Sequence, residues 1–156
     1  MKDALESNAK LRDEGTRNLV NASTKSEVKK MIAQSIAFVY EPAPLPFTEE
    51  SKLLNFEDEI YGSTSKAVYS LEQQVLNASF VGIVLRNALL YGKDTGFNSP
   101  IEALPCVNVD AAVKAAFLAK DYSKNGVFNI GDDDNRLSSQ KAKDELGFDP
   151  NFRIEA

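Results

Sequence analysis

The run from Met31 to Val39 limits the fold more than any other stretch of this chain. Nearly every position in it is apolar or small. That pattern predicts a strand covered on both faces, as in a parallel sheet. The run leads through Tyr40 into Glu41 and Pro42. Pro42, Pro44 and Pro46 supply no backbone donors and pre-set their own φ, so Glu41 to Glu50 is expected to be a loop. A strand buried on both faces needs a layer of helices on each side, and this points to an α/β fold.

The other segments agree with that expectation. Asn8 to Thr24 reads as a helix, with Gly15 a weak point. Lys52 to Tyr61 is ambiguous. Ser63 or Thr64 is expected to cap a helix to about Asn77, with Val68, Leu71, Val75 and Ala78 on one buried face. Phe80 to Leu85 is the next strand, and Tyr91 to Ser99 a loop. Val109 to Lys120 is a helix with Val113, Ala116 and Phe117 expected inward. Gly126 to Ile130 is a short strand closed by Gly131. Ser138 is expected to cap a last helix to Leu146, ended by a left-handed Gly147 and by Pro150. Strand, helical crossover, strand is βαβ order, which implies parallel strands.

Composition narrows the function classes. The chain has 156 residues, which suggests one domain over 1–156. Its net charge of −5 with mixed signs predicts no nucleic-acid footprint. It has no histidine, the commonest zinc ligand and most frequent general base. The single cysteine, Cys106, lies in a buried-looking stretch and reads as an inert core thiol in a reducing, cytoplasmic setting. No apolar run reaches membrane-spanning length, so no membrane partner is expected. Asp132-Asp133-Asp134 reads as a solvated turn, because three consecutive carboxylates cannot all face one ion; no metal site is expected.

Several blocks, taken in order, resemble the extended short-chain dehydrogenase/reductases, the NAD-dependent epimerase/dehydratase family, in an atypical branch. They are Arg12 with Gly15-Thr16-Arg17-Asn18-Leu19-Val20, Gln34-Ser35-Ile36-Ala37, Ser65-Lys66, Leu85-Arg86-Asn87, and Val107-Asn108-Val109-Asp110. The resemblance covers the later half of a typical member. It implies a partial Rossmann-like three-layer fold with parallel strands, lacking the glycine-rich N-terminal half. No G-x-G-x-x-G or G-x-x-G-x-x-G occurs, and such a loop is what lets a backbone approach a pyrophosphate. NAD or NADP is therefore implied for the complete family fold, with none bound by this chain alone.

The resemblance also implies site residues. Lys66 matches the lysine of a Tyr-x-x-x-Lys pair that does the family's proton work beside the nicotinamide. Gly62, not tyrosine, stands four residues earlier, and Tyr61 is displaced by one, about 140° from Lys66 around an ideal helix. Tyr61 is either a proton donor rescued by irregular helix geometry or a plain packed aromatic. The family's Ser or Thr position falls on Ile36; Ser35 is one earlier and should point to the other side of a period-two strand. Arg86 is either an anion contact near the cofactor or a structural ion pair, and Asp110 is expected to cap a helix.

These expectations lead to two readings. One is a truncated or split NAD(P)-dependent epimerase, dehydratase or reductase acting on a sugar-nucleotide-like substrate once completed by a separate Rossmann half. The other is a non-catalytic remnant or protein-binding module that uses an exposed sheet edge, with a homo-oligomer as one form of partner.

Overall fold

The computed structural model describes residues 2–154. Helix α1 (Lys2–Lys10) runs through a π-helical turn (Leu11–Gly15) into α2 (Thr16–Lys25). The expected helix is thus present and longer, and the predicted weak point at Gly15 is where the π turn closes. Strand β1 (Lys30–Ile36) follows, then a long loop, then α3 (Gly62–Leu76) and β2 (Val81–Asn87). After β2 come β3 (Leu89–Tyr91), β4 (Cys106–Asn108), α4 (Val109–Ala119), β5 (Gly126–Ile130) and α5 (Gln140–Leu146).

β1, β2 and β5 form a three-stranded sheet in that order, and both pairings are parallel. Ile32 lies opposite Ile83, and Ile83 opposite Gly126. Side chains alternate across such strands. Val84 and Arg86 therefore meet α3, while Ile83 and Leu85 join the larger core under α4 and α5. This is the three-layer α/β arrangement expected from the sequence. β3 and β4 make a separate parallel pair that the sequence reading did not assign. Among the described residues no helix is long and apolar enough to cross a membrane.

Four local expectations are corrected. β1 is not covered on both faces: it stands at the sheet edge, Gln34 is exposed, and only Ser35 within the strand is fully buried. α3 begins at Gly62, before Ser63 and Thr64, and carries no side-chain cap; Asp58 instead holds the preceding turn, its carboxylate accepting from the backbone of Ile60 and Tyr61. α4 is rotated from the expected face. Ala111, Ala112, Ala115 and Ala119 are buried, while Val113 (55% exposed) and Phe117 (57%) look outward. Four small side chains let this helix approach the sheet closely, so its larger apolar residues are left outside. The predicted cap at Asp110 is likewise shifted by two: Asn108 is the N-cap, and its side chain accepts from Asp110 N at 2.9 Å.

Other details agree. Val68, Leu71 and Val75 are buried on α3. Gly147 takes the left-handed conformation at φ 71°, just after α5. Cys106 is buried and contacts the backbone carbonyls of Ile101 and Leu104. The three consecutive aspartates diverge: Asp132 accepts from Asn108 N, Asp133 pairs with Lys143, and Asp134 pairs with Arg136 at 2.7 Å.

Candidate functional site

Parallel strands in one sheet deliver their carboxyl ends to one edge, where α/β proteins form ligand crevices. At the ends of β1 and β2 lies a cavity of about 510 Å³. Ile36 and Phe38 from one side and Ala88, Leu89 and Leu90 from the other give it apolar walls. The 94–97 turn closes it, and no lysine or arginine lines it. Asn87 is 7% exposed and lines this cavity; its Oδ1 has no hydrogen-bond partner. A buried amide oxygen without a donor is costly in a folded protein, and its position suits acceptance from a bound N–H.

A second cavity, of about 450 Å³, lies beyond Ile36 and Phe38, which line both. Its other walls include Arg12 from the π turn, Tyr61 and Thr64 from the start of α3, and Leu54. Tyr61 is the N-cap of α3, with φ −114° and ψ −2°, and is half-exposed.

The residues expected from the sequence are distributed as follows. Ser35 turns away from both cavities, as strand period two requires, and donates to Glu72 Oε1 at 2.8 Å. Ile36, at the family's Ser or Thr position, is the residue that faces them. Lys66 is exposed and lines a different depression with Asp13, Glu14 and Ser70. There the Asp13 carboxyl is held below its usual range, chiefly by the Ser70 hydrogen bond, with Arg17 and the charge of Lys66 adding to it. Among the described residues, Tyr61 lines the second cavity and Lys66 the depression beside Asp13, and Ser35 lines neither.

Gly62 explains why the tyrosine is displaced. A Cβ built there would lie 2.2 Å from the carbonyl oxygen of Phe56. No side chain fits, so this backbone cannot carry a tyrosine four residues before Lys66.

Arg86 sits in the buried ion pair that one sequence reading favoured. Its Nε and Nη2 donate to the two carboxylate oxygens of Glu72 at 2.8 and 2.6 Å. Nη1 donates to the Tyr40 hydroxyl and to the Glu49 carbonyl, both at 3.0 Å. Tyr40 in turn donates to Asn129 Oδ1 at 2.5 Å. Burial tends to lower the Arg86 pKa, but the Glu72 hydrogen bonds and charge overcome it and the net shift is upward. Burial pushes the Tyr40 hydroxyl up. This network joins β1, α3, β2, β5 and the proline-containing loop beneath the cavities.

Sequence reasoning named Thr64 only as a helix cap, and gave neither Asn87 a place in a cavity wall nor Glu72 its buried ion pair. Only Glu72 had a signal: a carboxylate four residues after Val68, beside Leu71, on a face otherwise apolar.

No family model matches the chain. It is 30% identical over 158 aligned residues to a 3-diazoavenalumate denitrifying reductase from a Streptomyces species, covering 88% of this chain and 52% of that protein. The chain thus spans about half the length of this curated relative. Among solved structures, it is similar to the UDP-glucose 4-epimerase of Thermotoga maritima, solved with UDP-glucose, at a TM-score of 0.76 and 21% identity, over 97% of this chain and 68% of that one. It is also similar to the UDP-glucuronic acid 4-epimerase of Bacillus cereus, solved with UDP-glucuronic acid and NAD, at a TM-score of 0.72 and 15% identity, over 91% and 63%. The chain therefore has the fold of part of these UDP-sugar 4-epimerases, the partial α/β fold with parallel strands that its sequence implied.

Proposed function

We propose that this chain supplies the substrate-facing part of an NAD(P)-dependent reductase of the extended short-chain dehydrogenase/reductase kind. The observation that carries this reading is the apolar cleft at the carboxyl ends of β1 and β2, with the unpartnered Asn87 oxygen in its wall. The reductase relative, matched over 88% of the chain, supports it.

The residues present fit one end of a nicotinamide dinucleotide. Apolar walls suit a flat ring, and Asn87 Oδ1 suits a carboxamide N–H. No cation lines the cleft for the pyrophosphate. When bound, the nicotinamide supplies or accepts a hydride. The chain's own part is to wall the ring from water and to present Tyr61, which lines the second cavity, as a candidate proton-bearing group. Lys66 and Ser35 stay as candidates from the resemblance. A sugar-nucleotide substrate, suggested by the solved structures, fits the cleft less well than a small organic one, because a diphosphate would find no cationic partner there.

The test is a titration of the 156-residue chain with reduced nicotinamide mononucleotide and with NADH, read by methyl chemical shifts of Ile36, Leu89 and Leu90. Both ligands should bind with dissociation constants of about 1 mM or weaker. Asn87→Leu should weaken both. Shifts confined to other regions would overturn the assignment of the cleft, and micromolar NADH binding would overturn the expectation that pyrophosphate contacts are missing here.

A protein-binding role is the second reading. Its supporting observation is the open edge of β1, where the outward Val113 of α4 lines a hollow with Ile32 and Gln34.

A further inference from the structure

We propose that the cavity between the π-helical turn and the start of α3 binds a small apolar carboxylate, gripped by the Arg12 guanidinium and the Thr64 hydroxyl. Arg12 lines this cavity and is half-buried; among the described residues it has neither a carboxylate partner nor a hydrogen bond. Its pKa is lowered by burial, as expected of a guanidinium short of water with no counter-charge beside it. Every other described arginine makes at least one hydrogen bond.

Thr64 gives an independent sign. It is 6% exposed, lines the same cavity, and its Oγ1 has no hydrogen-bond partner. A buried hydroxyl left without a partner usually marks a missing ligand or water. It also lies in the first turn of α3, a helix with no side-chain cap, where the dipole favours negative charge. Arg12 itself sits in a π-helical turn, a distortion frequent at functional sites.

The composition of the walls selects the anion. Leu5, Ile36, Phe38, Val39, Leu54 and Leu104 surround a single cation, Arg12, with the Thr64 and Tyr61 hydroxyls and the Asn8 amide as the other polar groups. A planar carboxylate presents two oxygens in a fork that matches a guanidinium, and its apolar body fits the leucines. A phosphate brings more negative charge than one arginine balances. Because Ile36 and Phe38 are shared with the cleft, a ligand anchored here would project toward it. As a substrate anchor the site rests on the reductase reading; as a carboxylate pocket it stands without it, and the test uses no nicotinamide, so the two fail separately.

The experiment is calorimetry of the 156-residue chain with benzoate, benzamide and inorganic phosphate. Benzoate should bind in the millimolar range or tighter, and benzamide at least about tenfold more weakly. Arg12→Gln should weaken benzoate by about tenfold, with Arg12→Lys intermediate, because lysine keeps the charge but loses the fork. Thr64→Val, nearly the same shape, should also weaken benzoate while leaving the melting temperature unchanged or higher. The proposal is overturned by absence of benzoate binding at about 10 mM, by benzamide equalling benzoate, or by full affinity in folded Arg12→Lys and Thr64→Val. Phosphate binding as tightly as benzoate would overturn the choice of carboxylate.

Discussion

Arg86 and Glu72 meet through two parallel hydrogen bonds of 2.8 and 2.6 Å, with both side chains less than a tenth exposed. This fork-to-fork pair fastens β2 to α3, and Ser35 fastens β1 to the same carboxylate. Removing one member leaves a buried charge alone. Glu72→Ala should cost about 3–5 kcal/mol of unfolding free energy, measured by urea denaturation. The paired replacement Glu72→Leu with Arg86→Met should recover most of that loss, less about 1 kcal/mol for the Ser35 hydroxyl left without its acceptor. A double variant as unstable as Glu72→Ala would show that the charges themselves, not their pairing, hold these elements.

Tyr40 sets an alkaline limit. Burial raises its folded pKa above the unfolded value of about 10, so the folded state retains the proton longer. The associated stability is fully present below about pH 10 and is lost as pH rises through the folded pKa. Tyr40→Phe should cost about 1–2 kcal/mol at neutral pH, because Asn129 Oδ1 loses its donor. The variant should also lose stability less steeply above about pH 10. Parallel stability curves for the two proteins across that range would contradict the assignment.

Gly62→Ala offers a test in which helix propensity and sterics oppose each other. Alanine favours a helix interior by about 1 kcal/mol over glycine. The added Cβ would meet the Phe56 carbonyl at 2.2 Å, and a backbone atom cannot swing away. The expected result is net destabilisation of about 1–3 kcal/mol by thermal or chemical melting. A stabilised variant would mean that the 55–61 turn gives way easily.

The edge of β1 should make the chain self-associate or exchange locally. Only one side of this strand is paired, and flat unpaired edges recruit other strands. Size exclusion with light scattering should show species above the monomer mass. Amide exchange across 30–36 should be faster than across β2. A monomer with β1 amides protected to the global stability would end this expectation. Phe117→Lys, on the outward face of α4, should reduce any association that uses this side of the sheet.

The sequence made some elements legible for clear reasons. β5 and α5 were bounded by Gly131, Gly147 and Pro150, whose backbone preferences act locally. β2 was a nearly unbroken apolar run, and it is buried at six of its seven positions. α4 was misread because size was taken as the guide to burial. Ala111, Ala112, Ala115 and Ala119 are inside since close helix–sheet approach excludes Val113 and Phe117, and Ala116, expected inward with them, is exposed too; the constraint is set by the opposing layer and invisible along the chain. β3 and β4 are three residues each, too short for a period-two pattern to appear. The Ser35 and Ile36 orientations were legible, because alternation along a strand is local. That Arg12 and Thr64 line one cavity was not: it depends on a π turn and on the exact start of α3, neither of which leaves a compositional trace.

The contact between Gly62 and Phe56 has a further consequence, for descent. A family member with tyrosine at this helix position and the present chain are not neighbours in sequence space. Changing residue 62 alone would drive a side chain into the preceding turn, and shifting the turn first would release Asp58 from its two backbone donors. Any path between the two arrangements must alter turn and helix start together. Once the turn closes on a glycine, no single substitution at residue 62 fits this backbone.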